Sequence, residues 1–196
     1  MKSEREASPR GPRLRHETPY PIVLGIDPGT RVVGYGAVVV RDCGPRLFGA
    51  GVLRPAAQDE VPRRLGAILR EIQALLLEVR PDVVVVEQAF AARNVQSALR
   101  IGEGRGVVLA AAAEFGSAIV QFPPATAKKM LTGHGAADKT QVAAMVGQLL
   151  GLKELPEPLD ATDALALALA HVLRAERTRR FALPATRTGA KVRGVR

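Results

Sequence analysis

Four carboxylates in this 196-residue chain stand where an acidic side chain contributes little to packing. Asp27 closes the run Val23-Leu24-Gly25-Ile26-Asp27, ahead of Pro28-Gly29-Thr30. Glu87 closes Val83-Val84-Val85-Val86-Glu87, and Asp160 and Asp163 open Asp160-Ala161-Thr162-Asp163-Ala164-Leu165-Ala166. An acid at the end of an apolar strand faces the crevice at the carboxyl edge of a sheet, where open α/β folds bind ligands. Several carboxylates gathered there repel one another unless protons or cations compensate. The economical reading is a divalent-metal site, and an all-oxygen donor set suits Mg²⁺ or Mn²⁺. Such a site fits phosphodiester cleavage: two metals roughly 4 Å apart activate the attacking water and stabilise the leaving 3′ oxygen. In that scheme Asp27 bridges, Glu87 and Asp160 complete the separate shells, and Asp163 joins one of them.

Three of the four also have a plainer reading. Asp160 and Asp163 are three apart in a first helical turn, where Asp serves as a cap and the dipole favours anions. Asp27 before Pro-Gly reads as a turn former. Glu87 resists such an account, because four valines precede it and an unpaired buried Glu is costly. It is the set that points to chemistry.

The elements that must carry these acids follow from patterning. Residues 1–20 mix Pro, Gly, Arg and Glu without periodicity and are expected to be a disordered extension. Pro21–Asp27, Val33–Val40 and Arg46–Leu53 read as an antiparallel meander of three strands. Pro62–Val79 is an amphipathic helix, with Leu65, Ile68, Leu69, Ile72, Leu75, Leu76 and Val79 at helical spacing. Asp82–Glu87 reads as an interior parallel strand buried on both faces. An Ala-rich helix follows over Asn94–Phe115, then a strand over Ala118–Phe122 and a short helix over Pro124–Leu131. The next helix spans Asp138–Leu150, with Asp138 and Gln141 in a capping-box pattern. The last helix spans Asp160–Arg174. The order β-β-β-α-β-α-β-α-α-α predicts an α/β fold with a mixed five-stranded sheet flanked by helices.

The length suits one domain, expected over residues 21–174, with residues 175–196 a basic disordered tail. The net charge of +9 divides into +2 in residues 1–20 and +7 in residues 174–196, leaving a neutral body. Basic ends suggest a polyanionic partner, or simply solubilising tails. No run has the length of a membrane span, no secretory signal is visible, and Cys43 is the only cysteine. The expected compartment is therefore a reducing cytoplasm.

The motifs also resemble a known family. Gly25-Ile26-Asp27-Pro28-Gly29-Thr30-Arg31 with Gly34-Tyr35-Gly36 resembles the opening motif of the RuvC family of Holliday junction resolvases. Glu87-Gln88-Ala89-Phe90 resembles its second acidic motif. Ser97-Ala98-Leu99-Arg100 and Gly104-Arg105-Gly106 resemble the helix after it. Asp138-Lys139-Thr140-Gln141-Val142 and the Asp160–Ala166 block resemble its two later motifs. The likeness covers about residues 21–173 in order.

The resemblance implies a ribonuclease H-like fold, a homodimer, and Mg²⁺-dependent paired nicking of four-way DNA junctions in recombination and repair. It further implies two metals per subunit, a branch-migration helicase partner, and metal-binding catalytic roles for Asp27, Glu87, Asp160 and Asp163. It points to Lys139 and to Lys128 or its neighbour Lys129 as basic residues near the DNA. Phe90 is either a wedge stacking on junction bases or a core aromatic, and the resemblance favours stacking. Arg93, Arg100 and Arg105 either contact phosphate or sit on a solvated face. The Ala-rich helix, with Gly102, Gly104 and Gly106, is the candidate dimer interface, although packing within one subunit explains its small residues equally well.

Three other functions compete. A sugar-kinase-like ATPase shares the Gly-Ile-Asp-x-Gly-Thr motif, but needs a second glycine-rich loop and a second domain. A non-catalytic junction binder needs no acids. A nuclease acting on plain duplex or RNA is excluded only by the family likeness.

Overall fold

A computed structural model of the chain describes residues 18–88 and 95–182. In chain order the elements are β1 (Ile22–Asp27), β2 (Val33–Arg41), β3 (Gly44–Leu53), α1 (Val61–Val79), β4 (Val83–Glu87) and α2 (Val95–Phe115). They continue with β5 (Ala118–Phe122), α3 (Pro124–Thr132), α4 (Lys139–Leu150) and α5 (Leu159–Ala182). The sheet order is β3-β2-β1-β4-β5. Strands β1, β2 and β3 pair antiparallel, whereas β1–β4 and β4–β5 are parallel. The expected fold class and element order both hold.

The sheet is buried on both faces. Ile22, Leu24, Ile26, Val84 and Val86 pack against Ile68, Ile72, Leu76 and Val79 of α1 and Val108, Ala111 and Ala112 of α2. The alternate residues Val23 and Val85 face the other way, onto Leu165 and Leu169 of α5, with α3 and α4 outside. Strand periodicity of two produces this split, and β4 is β-branched on both sides because both are covered.

Turn chemistry fixes the register. Asp82 accepts from the Ile22 backbone N–H at 2.8 Å through its carboxylate, and its own N–H donates to the Ile22 carbonyl at 3.0 Å. This ties the start of β1 to the start of β4. The helix before it ends on Arg80, in the left-handed region at φ 46°, whose N–H donates to the Leu76 carbonyl. The capping box at α4 forms as expected: the Asp138 side chain accepts from the Gln141 N–H, and the Gln141 side chain accepts from the Asp138 N–H.

Two boundaries differ from expectation. Helix α5 runs to Ala182, so residues 175–182, read as tail, are helical. Charge alone does not end a helix; Ala, Glu and Arg are good helix formers, and no Pro intervenes before Pro184. Tyr20, placed in the extension, is half-buried on the α1/α2 side, and its hydroxyl lies 3.4 Å from the Asp42 carboxylate.

Candidate active site

Asp27 and Glu87 reach the same edge by register. Val23 pairs with Val83 and Ile26 with Val86, so the next residue of each strand is an acid. Both acids share the parity of Val23 and Val85, the residues that face α5. Parallel partners point to the same side, and Asp27 and Glu87 emerge together over the N-terminal end of α5.

Glycines bring α5 down to meet them. A Cβ on Gly25 would lie 1.9 Å from the Ala164 carbonyl oxygen, and one on Gly34 would lie 2.1 Å from that of Asp160. A Cβ on Gly36 would come within 2.6–2.8 Å of Leu165. Gly25 lies opposite Gly36, and Asp27 opposite Gly34. Helix backbone therefore rests on strand backbone beside Asp27, and only glycine permits that approach. The buried Thr162 donates its hydroxyl to the Pro156 carbonyl at 3.1 Å, tying the approach loop to the same turn. In the sequence Gly34 and Gly36 stood out as part of the opening motif, with no partner assigned to them. Their signal was the alternation of Gly with the acid: Gly25 and Asp27 on one strand, Gly34 and Gly36 on the next.

Electrostatics show that the four acids share one crevice. Asp27 is pushed up from 3.8 to about 7, first by burial, then by Glu87, Asp163 and Asp160, with Lys139 opposing. Glu87 is raised by burial and then by Asp163, while Lys128 and Lys139 pull the other way. Lys139 donates to Asp163 Oδ2 at 2.9 Å, and that bond holds its ammonium above the usual lysine range. Among the described residues, no three His, Cys, Asp or Glu side chains form a closed metal-ligand group. The donors are all oxygens around a half-buried acid, which suits a hard divalent cation.

The other expected residues divide. Lys128, half-buried on α3, and Lys139 at the start of α4 both act on the acidic crevice. Lys129 and Arg100 are exposed. Arg105 turns inward: its Nε donates to the Glu87 carbonyl at 3.1 Å, and its Nη2 donates to the Gln121 side-chain oxygen. It braces the end of β4 and is not displayed on a solvated face. Phe90 and Arg93 lie outside the described residues. Gly104, offered for a dimer interface, packs within the subunit: a Cβ there would lie 2.9 Å from the Gly29 carbonyl oxygen. Gly102 and Gly106 face open space.

An acid-edged mixed sheet closed by a helix that contributes two more acids defines a metal-dependent nuclease of the ribonuclease H-like fold. The chain belongs to the RuvC family, since the model described as "Crossover junction endodeoxyribonuclease RuvC" matches residues 23–171. It is 44% identical over 150 residues to the crossover junction endodeoxyribonuclease RuvC of Syntrophomonas wolfei, covering 76% of this chain and 87% of that one. Thermus thermophilus RuvC superposes with a TM-score of 0.74 at 38% identity, covering 80% of this chain and 96% of that one. The same Thermus protein in complex with Holliday junction substrate superposes at 0.73 with 36% identity, covering 81% and 96%. The chain is thus a crossover junction endodeoxyribonuclease, from a family whose nucleases are metal-dependent. Among the described residues, no helix is long and apolar enough to cross a membrane.

Proposed function

We propose that this chain resolves four-way DNA junctions by paired symmetrical nicks, with Asp27, Glu87, Asp160 and Asp163 as its metal-holding catalytic acids. The observation that carries this reading is Asp27, half-buried at a strand end and pushed up to about 7 by burial and by all three other acids. Support for the substrate comes from the Thermus relative, which has been solved with a Holliday junction. Two Mg²⁺ ions, with Mn²⁺ as substitute, would activate the attacking water and stabilise the leaving oxygen when bound between these carboxylates.

The chain's own residues do the rest. Asp27 would be the ligand shared between the ions, since it ends the central strand and Glu87, Asp163 and Asp160 all act on its carboxyl. Glu87 and Asp160 flank it, and Asp163 holds Lys139 at the rim. Lys139 and Lys128 bring positive charge to a crevice that must admit a phosphate. Arg105 fixes the Glu87 backbone, leaving the carboxylate to move only by side-chain rotation.

Two cuts on symmetry-related strands call for two sites, which a twofold homodimer supplies. Val95 and Leu99, one turn apart at the start of α2, are 73% and 57% exposed and offer an apolar face suited to a second copy. The reading extends to a branch-migration helicase partner and to the cytoplasm, a compartment that accords with Cys43 as a free, exposed thiol.

The test is a synthetic four-way junction with Mg²⁺, cut by wild type and by Asp27→Asn. The substitution removes the charge and keeps the shape. Cleavage should fall by more than roughly a hundredfold while junction binding is retained. Equal cleavage by the two proteins defeats the mechanism.

A further inference from the structure

The C-terminal third of α5 carries charge with no partner. Arg174, Arg177 and Arg179 are exposed, and none of them pairs with a carboxylate among the described residues. An open groove of about 470 Å³ lies between this stretch and β5, the last strand of the sheet. It is lined by Val120, His171, Arg174, Ala175, Thr178 and Arg179. Residues 171, 174, 175 and 178 form one stripe of the helix.

The groove floor is largely apolar, and Arg174 and Arg179 stand along it. The Arg174 guanidinium sits over the Phe122 ring, 5.4 Å from its centroid, so the fork is held in place with its edges free. His171 has Nδ1 buried without a hydrogen-bond partner among the described residues. The Thr178 hydroxyl donates to the Arg174 carbonyl at 3.0 Å. Arg177 adds charge on the α3 side, beside Met130. Glu176 is the one acid between residues 171 and 179, and it does not line the groove. The plainer account is that cations in the last turns complement the helix dipole. That account needs no groove, no stacked arginine and no orphaned imidazole nitrogen.

We propose that this groove is a second DNA-backbone site, in which Arg174 and Arg179 seat phosphates of the duplex arm beyond the cut. The inference rests on the junction-cleaving reading above. Geometry supplies the spacing. Arg174 and Arg179 follow Asp163 by eleven and sixteen residues on one helix. At about 1.5 Å per residue their Cα atoms stand roughly 17 and 24 Å from that of Asp163 along the helix axis. A duplex laid along that axis covers the span in roughly five to seven base pairs. Arginine suits the task, because its planar fork matches phosphate oxygens in pairs.

The test pairs a protein change with a DNA change. Binding of four-way junctions to full-length wild type and R174Q/R179Q is measured by fluorescence anisotropy in EDTA over a KCl series. One junction is ordinary; the other carries neutral methylphosphonates at the linkages roughly four to eight nucleotides from the cut. On the ordinary junction the variant should lose up to about 1.8 of the slope of log affinity against log salt, for two phosphate contacts. On the neutral junction wild type should weaken to the variant's level, and the two changes together should add nothing. The single-turnover cleavage rate of bound junction should be unchanged in the variant. Equal slopes for both proteins, or fully additive losses, would overturn the second site. Failure of wild type to cut the ordinary junction would overturn the functional reading itself, and the inference with it.

Discussion

The two ends of α5 are held by opposite means. Its first turns press backbone to backbone onto Gly25 and Gly34, where a single added carbon does not fit. Its last turns pass β5 and leave arginines over an open groove. The acidic end must be located tightly, because carboxylates that repel one another stay together only on a frame that cannot yield. The basic end has no such need: cations that meet a polyanion tolerate loose placement, since the attraction is long-ranged.

The largest test of this contrast is steric. Gly25→Val should lower the unfolding free energy by about 3 kcal/mol or more in urea titration, or prevent folding. Valine otherwise favours a strand, so the loss would report the clash with α5. Thr178→Ala, at the loose end, should stay within about 1 kcal/mol of wild type. A Gly25→Val protein as stable and active as wild type would break the contrast.

A second test is electrostatic. In the folded chain Asp27 takes up its proton near pH 7, and its ordinary value is 3.8. The folded state therefore binds the extra proton, and stability falls as pH rises through that window. Without divalent cations, the unfolding free energy should drop by about 2–4 kcal/mol between pH 4 and pH 8. Glu87, also raised, acts with the same sign. Asp27→Asn should remove most of the drop, and an identical slope in that variant would show that the strain lies elsewhere.

The smallest effect concerns Arg105. If it braces Glu87, Arg105→Gln should slow cleavage by roughly tenfold, the worth of a hydrogen bond from a charged donor. The salt slope of junction binding should stay at the wild-type value. A fall in slope of about 0.9 with an unchanged cleavage rate would instead return Arg105 to the DNA.

Much of this molecule was readable from its residues, for identifiable reasons. Strand ends were visible because apolar runs stop at Asp27 and Glu87, and a capping box is a local pattern that needs no tertiary partner. Glu87 was suspect because it ends a run of four valines, and the other three acids became so only as members of the set. The true end of α5 was hidden: high charge reads as a solvated tail, although Ala182 is still helical. Arg105 was hidden for another reason. A long flexible cation takes its role from whatever lies within reach, and Gln121 and the Glu87 carbonyl come within reach only through the sheet. Gly25 and Gly34 were visible as glycines, but the helix they admit lies more than 120 residues downstream.

That separation has a consequence for the chain as it leaves the ribosome. Helix α5 is the last element among the described residues, and it supplies Leu165, Leu169 and Val172 to the core as well as two of the four acids. A nascent or prematurely terminated product that stops before residue 160 has one face of its sheet uncovered and lacks two of the four acids. Such a fragment exposes the apolar face that Leu165, Leu169 and Val172 cover in the folded chain.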